Sequence, residues 1–129
     1  MPAYVKMNVT FATADAATLF TVPAGMRIAV LKAGWDVSVA FTGGAASTIG
    51  VSSANAAYNT KGDLQGGAAG DAAAALTAGF RGGTVGAKLA SNGLVVLGGG
   101  DVLRFDRITS AFTAGAANLN IQLTQFPAV

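Results

Sequence analysis

Apolar and polar residues alternate with period two through most of the chain, the pattern of strands with one buried face. Val5, Met7, Val9 and Phe11 alternate with Lys6, Asn8 and Thr10, which predicts a first strand. Residues 18–22 predict a second, ended by Pro23-Ala24-Gly25, where Pro presets φ and Gly completes a tight turn. Residues 26–32 predict a third, and the run Ile28-Ala29-Val30-Leu31 implies burial on both faces. A separate strand is expected after Gly34, with Trp35, Val37, Val39 and Phe41 inward and Asp36, Ser38 and Ala40 outward. Thr42-Gly43-Gly44 then turns the chain toward a strand at 48–52. Near the other end, 94–97 reads as a short strand, and Gly98-Gly99-Gly100-Asp101 turns into another at 102–108. Leu119, Ile121 and Leu123 alternate with Asn118, Asn120, Gln122 and Thr124 in a closing strand.

Residues 53–93 lose this rhythm. They are dense in Ala and Gly, with Tyr58, Leu64, Leu76, Phe80, Val85 and Leu89 as the larger apolar anchors. Loops beyond about 15 residues are uncommon inside compact domains. Short, weakly coded strands are therefore expected here, with long connections near 53–70 and 79–92. One helix is a candidate: Asp71 can cap an alanine run over 71–78, confined by Gly70 and Gly79. A small-residue strand is the alternative for that segment. Together these features predict an all-β fold, an antiparallel β-sandwich, jelly-roll-like, of about eight short strands. Residues 1–129 are expected to form one domain.

Composition narrows the chemistry. The chain has no Cys and no His, and its 6 acidic residues are all Asp. That removes disulfides, a thiol nucleophile, Cys-based zinc sites and the commonest general base. No catalytic, cofactor-binding or metal-binding set is expected, and no enzyme. Only 11% of residues are charged, against roughly 25% in an ordinary soluble domain, while 28 are Ala and 18 are Gly. So thinly charged a surface suits association. The net charge of +2 comes from Lys and Arg scattered singly, whereas nucleic-acid binders cluster them, so no direct nucleic-acid contact is expected. The first residues lack a basic start followed by an apolar run, and no stretch approaches the roughly 18 apolar residues of a membrane helix. Neither secretion nor a membrane partner is expected.

Several local patterns invite functional readings. Residues 79–88 come nearest to a phosphate-binding loop, but Ala87 stands where the Lys is needed and Leu89 follows Lys88. No strand–loop–helix context is expected around it, and a plain loop is the better reading. Gly98-Gly99-Gly100 lacks dinucleotide-fingerprint spacing and reads as a turn. Asp101 and Asp106 fall on opposite faces of a strand, a poor start for paired carboxylates. Trp35 beside Asp36 could form a sugar platform, yet it shares a face with three apolar residues, which favours the core. Asp63 and Asp71 lie in Gly-rich loops whose spacing fits no calcium site, and turn formation explains them better. Arg104 and Asp106 share a strand face, where a surface ion pair is the simplest reading.

The stretch TLFTVPAGMRIAVLKAGWDVSVAFTGG (18–44), TIGV (48–51) and GGGDVLRFDRITSAFTAGAANLNIQLTQF (98–126) resembles small Ala/Gly/Thr-rich structural proteins of tailed phages. Those proteins act as head decoration, or capsid cement, proteins. The resemblance implies a jelly-roll-like sandwich on the outer surface of the virion, binding the major capsid protein between capsomers and stabilising the expanded head. It also implies a homo-oligomer, with a trimer favoured. Another virion component, such as a tail, baseplate or fibre sandwich, is the alternative. A carbohydrate-binding module using Trp35, Tyr58 or Tyr4 is a further one.

Aromatic and basic side chains outside the strong strand rhythm are least needed by a core and are favoured as interface anchors. On that ground the expected interface residues are Tyr58, Lys61, Phe80 and Arg81 in the middle, with Tyr4 and Lys6 near the N-terminus.

Overall fold

The structure, a computed structural model, describes residues 2–44 and 46–127. In chain order it holds β1 (Pro2–Thr10), β2 (Thr18–Thr21), β3 (Met26–Gly43), β4 (Thr48–Ser53), β5 (Gln65–Gly66), β6 (Gly79–Arg81), helix α1 (Ala87–Asn92), β7 (Val95–Gly98), β8 (Val102–Ile108) and β9 (Phe112–Pro127). One sheet has the order β1-β9-β3-β6, with β7 also on β3; the other has the order β2-β8-β4-β5. Every pairing is antiparallel.

The pairings are nested. β1 lies on β9, β2 on β8, β3 on β6 and β7, and β4 on β5. The chain behaves as one long hairpin wrapped around a core, and the β3–β9 and β4–β8 ladders close the two sheets. That is jelly-roll topology. β6 and β7 share one position by pairing with successive parts of β3, so nine strands among the described residues fill eight places.

Inward positions of the two sheets meet in a single apolar cluster. Val9, Ile28, Trp35, Leu119, Ile121 and Leu123 come from the five-stranded sheet, and Ile49, Val51, Leu103 and Phe105 from the other. The middle segment adds Leu64, Leu76 and Leu89. Burying side chains of this size stabilises by roughly 1.5–3 kcal/mol each before conformational entropy is subtracted.

Three local expectations are corrected. The strands expected at 26–32 and 35–41 are one 18-residue strand, and Gly34 is no break in it. Val39 is 52% exposed instead of inward, because register shifts on either side of it carry it out of the core face. Residues 71–78 are not helical. Asp71 ends a 3₁₀ turn (Ala69–Asp71), Leu76 plugs into the core, and the Leu76 carbonyl accepts from Phe41 N–H at 3.0 Å. Here the segment is held by the core and by β3, which overrides alanine's helix preference. The helix is instead α1, anchored by Leu89 and ended at Gly93.

Candidate functional site

Alternation in β1 and β9 fixes what faces outward. With Val5, Met7, Val9, Leu119, Ile121 and Leu123 turned to the core, the outer face carries Tyr4, Lys6 and Asn8 beside Asn118, Asn120 and Gln122. Cross-strand register sets rows: Tyr4, Gln122 and Lys32; then Lys6, Asn120 and Gly34; then Asn8, Asn118 and Asp36. Over the first two rows lies an open groove of about 640 Å³. Its floor is Lys32, Gly34, Asn120 and Gln122, with Tyr4 on one side and Phe80, Gly82, Gly83 and Val85 on the other. Tyr4 is 73% and Phe80 64% exposed, far more than large apolar side chains usually are without a partner.

The β6 side of the groove depends on two close approaches. A Cβ on Gly34 would lie 2.8 Å from Phe80 Cζ, so the bare backbone of β3 lets that ring lie across the strand. Gly83 has φ +67°, and a Cβ there would run into Asp71 Oδ1, Gln65 Nε2 and Trp35 Cδ1. Beneath this loop, Asp71 accepts from Trp35 Nε1 at 2.9 Å and from Thr84 N–H at 3.1 Å. Gln65 Nε2 donates to the Gly82 carbonyl at 2.8 Å, and Gly66 N–H to the Thr84 carbonyl at 2.7 Å. The wall is thereby fastened to the core. The floor has a different feature: β7 pairs with residues 27–30 of β3 and β6 with 35–37, so no strand covers residues 31–34 on that edge.

Five of the six carboxylates are committed to the fold. Asp106 accepts from Gly62 N–H at 3.0 Å and Ser52 Oγ at 2.9 Å, with Arg104 Nε at 3.9 Å. Burial pushes the Asp106 carboxyl upward against those partners, and burial pushes Asp71 upward against its own. Asp63 caps Thr60 N–H, and Asp101 caps Gly98 N–H and binds Asn55. Asp15 loses some solvation, but Lys61 at 2.5 Å and the Arg107 N–H outweigh that and hold its carboxyl below the usual range. Asp36 is the exception. On the same outer face, the side chains of Lys6 and Lys32 carry no hydrogen bond or ion pair among the described residues.

The expected interface residues divide. Tyr4 and Phe80 come together at the groove, and Lys6 stands in the adjoining row. Arg81 turns back on its own loop, donating to the Thr77 and Ala78 carbonyls at 3.0 and 2.7 Å. Tyr58 is half-buried against the core, and Lys61 bridges Asp15 and the Arg107 carbonyl beside the other sheet. Lys32, Asn120, Gln122 and Val85, outside the expected interface set, complete the groove. Trp35 is fully buried and is no platform for a sugar. The Arg104–Asp106 pair is not a surface pair, because Asp106 is buried beneath the 54–64 connection.

The segment at 79–88 does have a strand, a loop and a helix in order. Several of its amides are nonetheless engaged: Thr84 N–H donates to the Asp71 carboxylate, Gly86 N–H to the Leu64 carbonyl, and Lys88 and Leu89 N–H to that of Asp63. Those amides do not point together into a phosphate cradle. Among the described residues no group of three or more acidic side chains could hold a metal, and no helix is long and apolar enough to cross a membrane. No family model, curated protein or solved structure matches the chain.

Proposed function

We propose that this protein is a tailed-phage decoration, or cement, protein. In this reading it sits on the outside of the expanded head, binds the major capsid protein between capsomers, and acts as a homotrimer. The observation that carries the reading is the outer face of the five-stranded sheet. Tyr4, Phe80 and Val85 stand exposed there over a floor of amides, while the carboxylates, Asp36 aside, serve the fold. Such a face suits burial against a partner. The sequence resemblance over 18–44, 48–51 and 98–126 supplies the partner.

The mechanism is mass action. A protein that binds the expanded lattice and not its precursor stabilises the lattice by the free energy of that binding. Repetition over many sites multiplies modest contacts across the shell. Sedimentation with expanded heads, assembled from the capsid protein of the same genome and lacking this chain, tests the reading. Co-sedimentation at micromolar concentration, saturating at a fixed ratio to capsid subunits, is expected. Its absence overturns the decoration role.

A further inference from the structure

We infer that the groove receives an extended, acidic and apolar segment of the partner polypeptide, laid over the outer face of the sheet across Lys32, Gly34, Asn120 and Gln122. This rests on the decoration reading and names what its docking face holds.

Three observations converge on that occupant. First, Lys32, Gly34, Asn120 and Gln122 form an open floor on β3 and β9, and the two side-chain amides there can bond the main chain of a segment lying over them. Second, Phe80 and Val85 on one side and Tyr4 on the other offer exposed apolar surface. The sheet order puts three strand intervals between β1 and β6, roughly 14 Å, a width suited to alternate side chains of one extended peptide.

Third, the charge is one-sided. Lys32 on the floor and Lys6 in the next row are unpaired, whereas Asp15, Asp63, Asp71, Asp101 and Asp106 are engaged elsewhere. Asp36, one row further along, is the acid left on this face. A segment carrying Asp or Glu between apolar residues complements the two lysines and loses least on desolvation. A basic segment meets like charge, and a neutral glycan leaves both ammonium groups unpaired.

The test uses the capsid assay with Lys32→Glu, Phe80→Ser and, on the other sheet, Thr21→Asp. All three sites are exposed, and thermal melting confirms that each variant is folded. The groove variants are expected to weaken head binding about tenfold or more, and Thr21→Asp less than about twofold. Unchanged binding by both groove variants, with the wild-type chain still co-sedimenting, overturns the groove assignment and leaves the decoration role standing. Loss of wild-type binding overturns both.

A second measurement reads the groove alone. Isotope-labelled protein is titrated with an acetylated eight-residue peptide alternating Asp with Val and Leu, with its Lys-for-Asp counterpart, and with maltohexaose. Amide shifts at 31–34, 82 and 83 are expected from the acidic peptide, at affinity at least about fivefold above the basic one. Equal response to both peptides, no response at those amides, or a response to the sugar alone overturns the inference.

Discussion

Trp35 donates its indole N–H to Asp71 at 2.9 Å inside the core, joining the middle of β3 to the loop that walls the groove. The same carboxylate accepts from Thr84 N–H. Two segments far apart in sequence are therefore held by one buried acceptor. Asp71→Ala leaves both donors without partners, and a loss of about 2–3 kcal/mol is expected. Urea unfolding followed by the emission of Trp35, the only tryptophan, measures it. A loss below about 0.5 kcal/mol would show that water replaces the carboxylate freely.

Burial sets an unusual pH dependence. Asp71 and Asp106 have carboxyls raised above 3.8 in the folded chain, so the native state holds their protons more tightly than the unfolded one. Their contribution to stability is complete below 3.8 and is lost as pH climbs through the raised values. Asp15 has the opposite sign: its contribution is present above 3.8 and disappears as pH falls below it. Unfolding free energy is therefore expected to rise as pH drops from 7 toward 4 and to fall again in stronger acid. In Asp71→Asn the rise between 7 and 4 should shrink, which urea titrations at several pH values would show.

Two glycines at the groove should respond differently to alanine. At Gly34 the new Cβ meets the far end of the Phe80 ring, which can swing aside. Gly34→Ala is expected to cost less than about 1 kcal/mol while moving Phe80 off the floor. At Gly83 the Cβ meets Asp71, Gln65 and Trp35 in a left-handed backbone, with no room to yield. Gly83→Ala is expected to cost about 2–4 kcal/mol. Melting curves of the pair, with a Phe80 side-chain spectrum for Gly34→Ala, check both.

The two ion pairs among the described residues are unequal because one is exposed and the other has a buried carboxylate. Lys61–Asp15 lies in solvent at the surface, and Lys61→Ala is expected to change stability by less than about 1 kcal/mol. Asp106→Ala leaves Gly62 N–H and Arg104 without their buried acceptor, and about 2–3 kcal/mol is expected. Comparable losses in the two variants would contradict the burial argument.

Local rhythm carried much of the architecture. Strand β8 falls on the residues that its alternation predicts, β2 and β4 lie within a residue of theirs, and β1 begins three residues before its alternation does. Three features escaped it, the first being the start of β9 at Phe112, six residues before its clear alternation. Bulges flanking Val39 shift one residue relative to β9, and nothing in a period-two pattern marks such a slip. The identity of the groove depends on pairings such as Lys6 with Asn120 and Trp35 with Arg81, which join distant parts of the chain. Exposure outside the rhythm was enough to single out Tyr4 and Phe80. It could not separate them from Tyr58 and Lys61, whose loop is claimed by the Asp106 carboxylate and by Asp15.

The central claim is that the outer face of the five-stranded sheet is a docking face for an assembled head. A density map of expanded heads saturated with the protein tests it most directly. Density for the sandwich is expected between capsomers, with Tyr4, Lys32 and Phe80 turned into contact with the capsid surface. Density with that face pointing to solvent, or heads that remain bare, would contradict it.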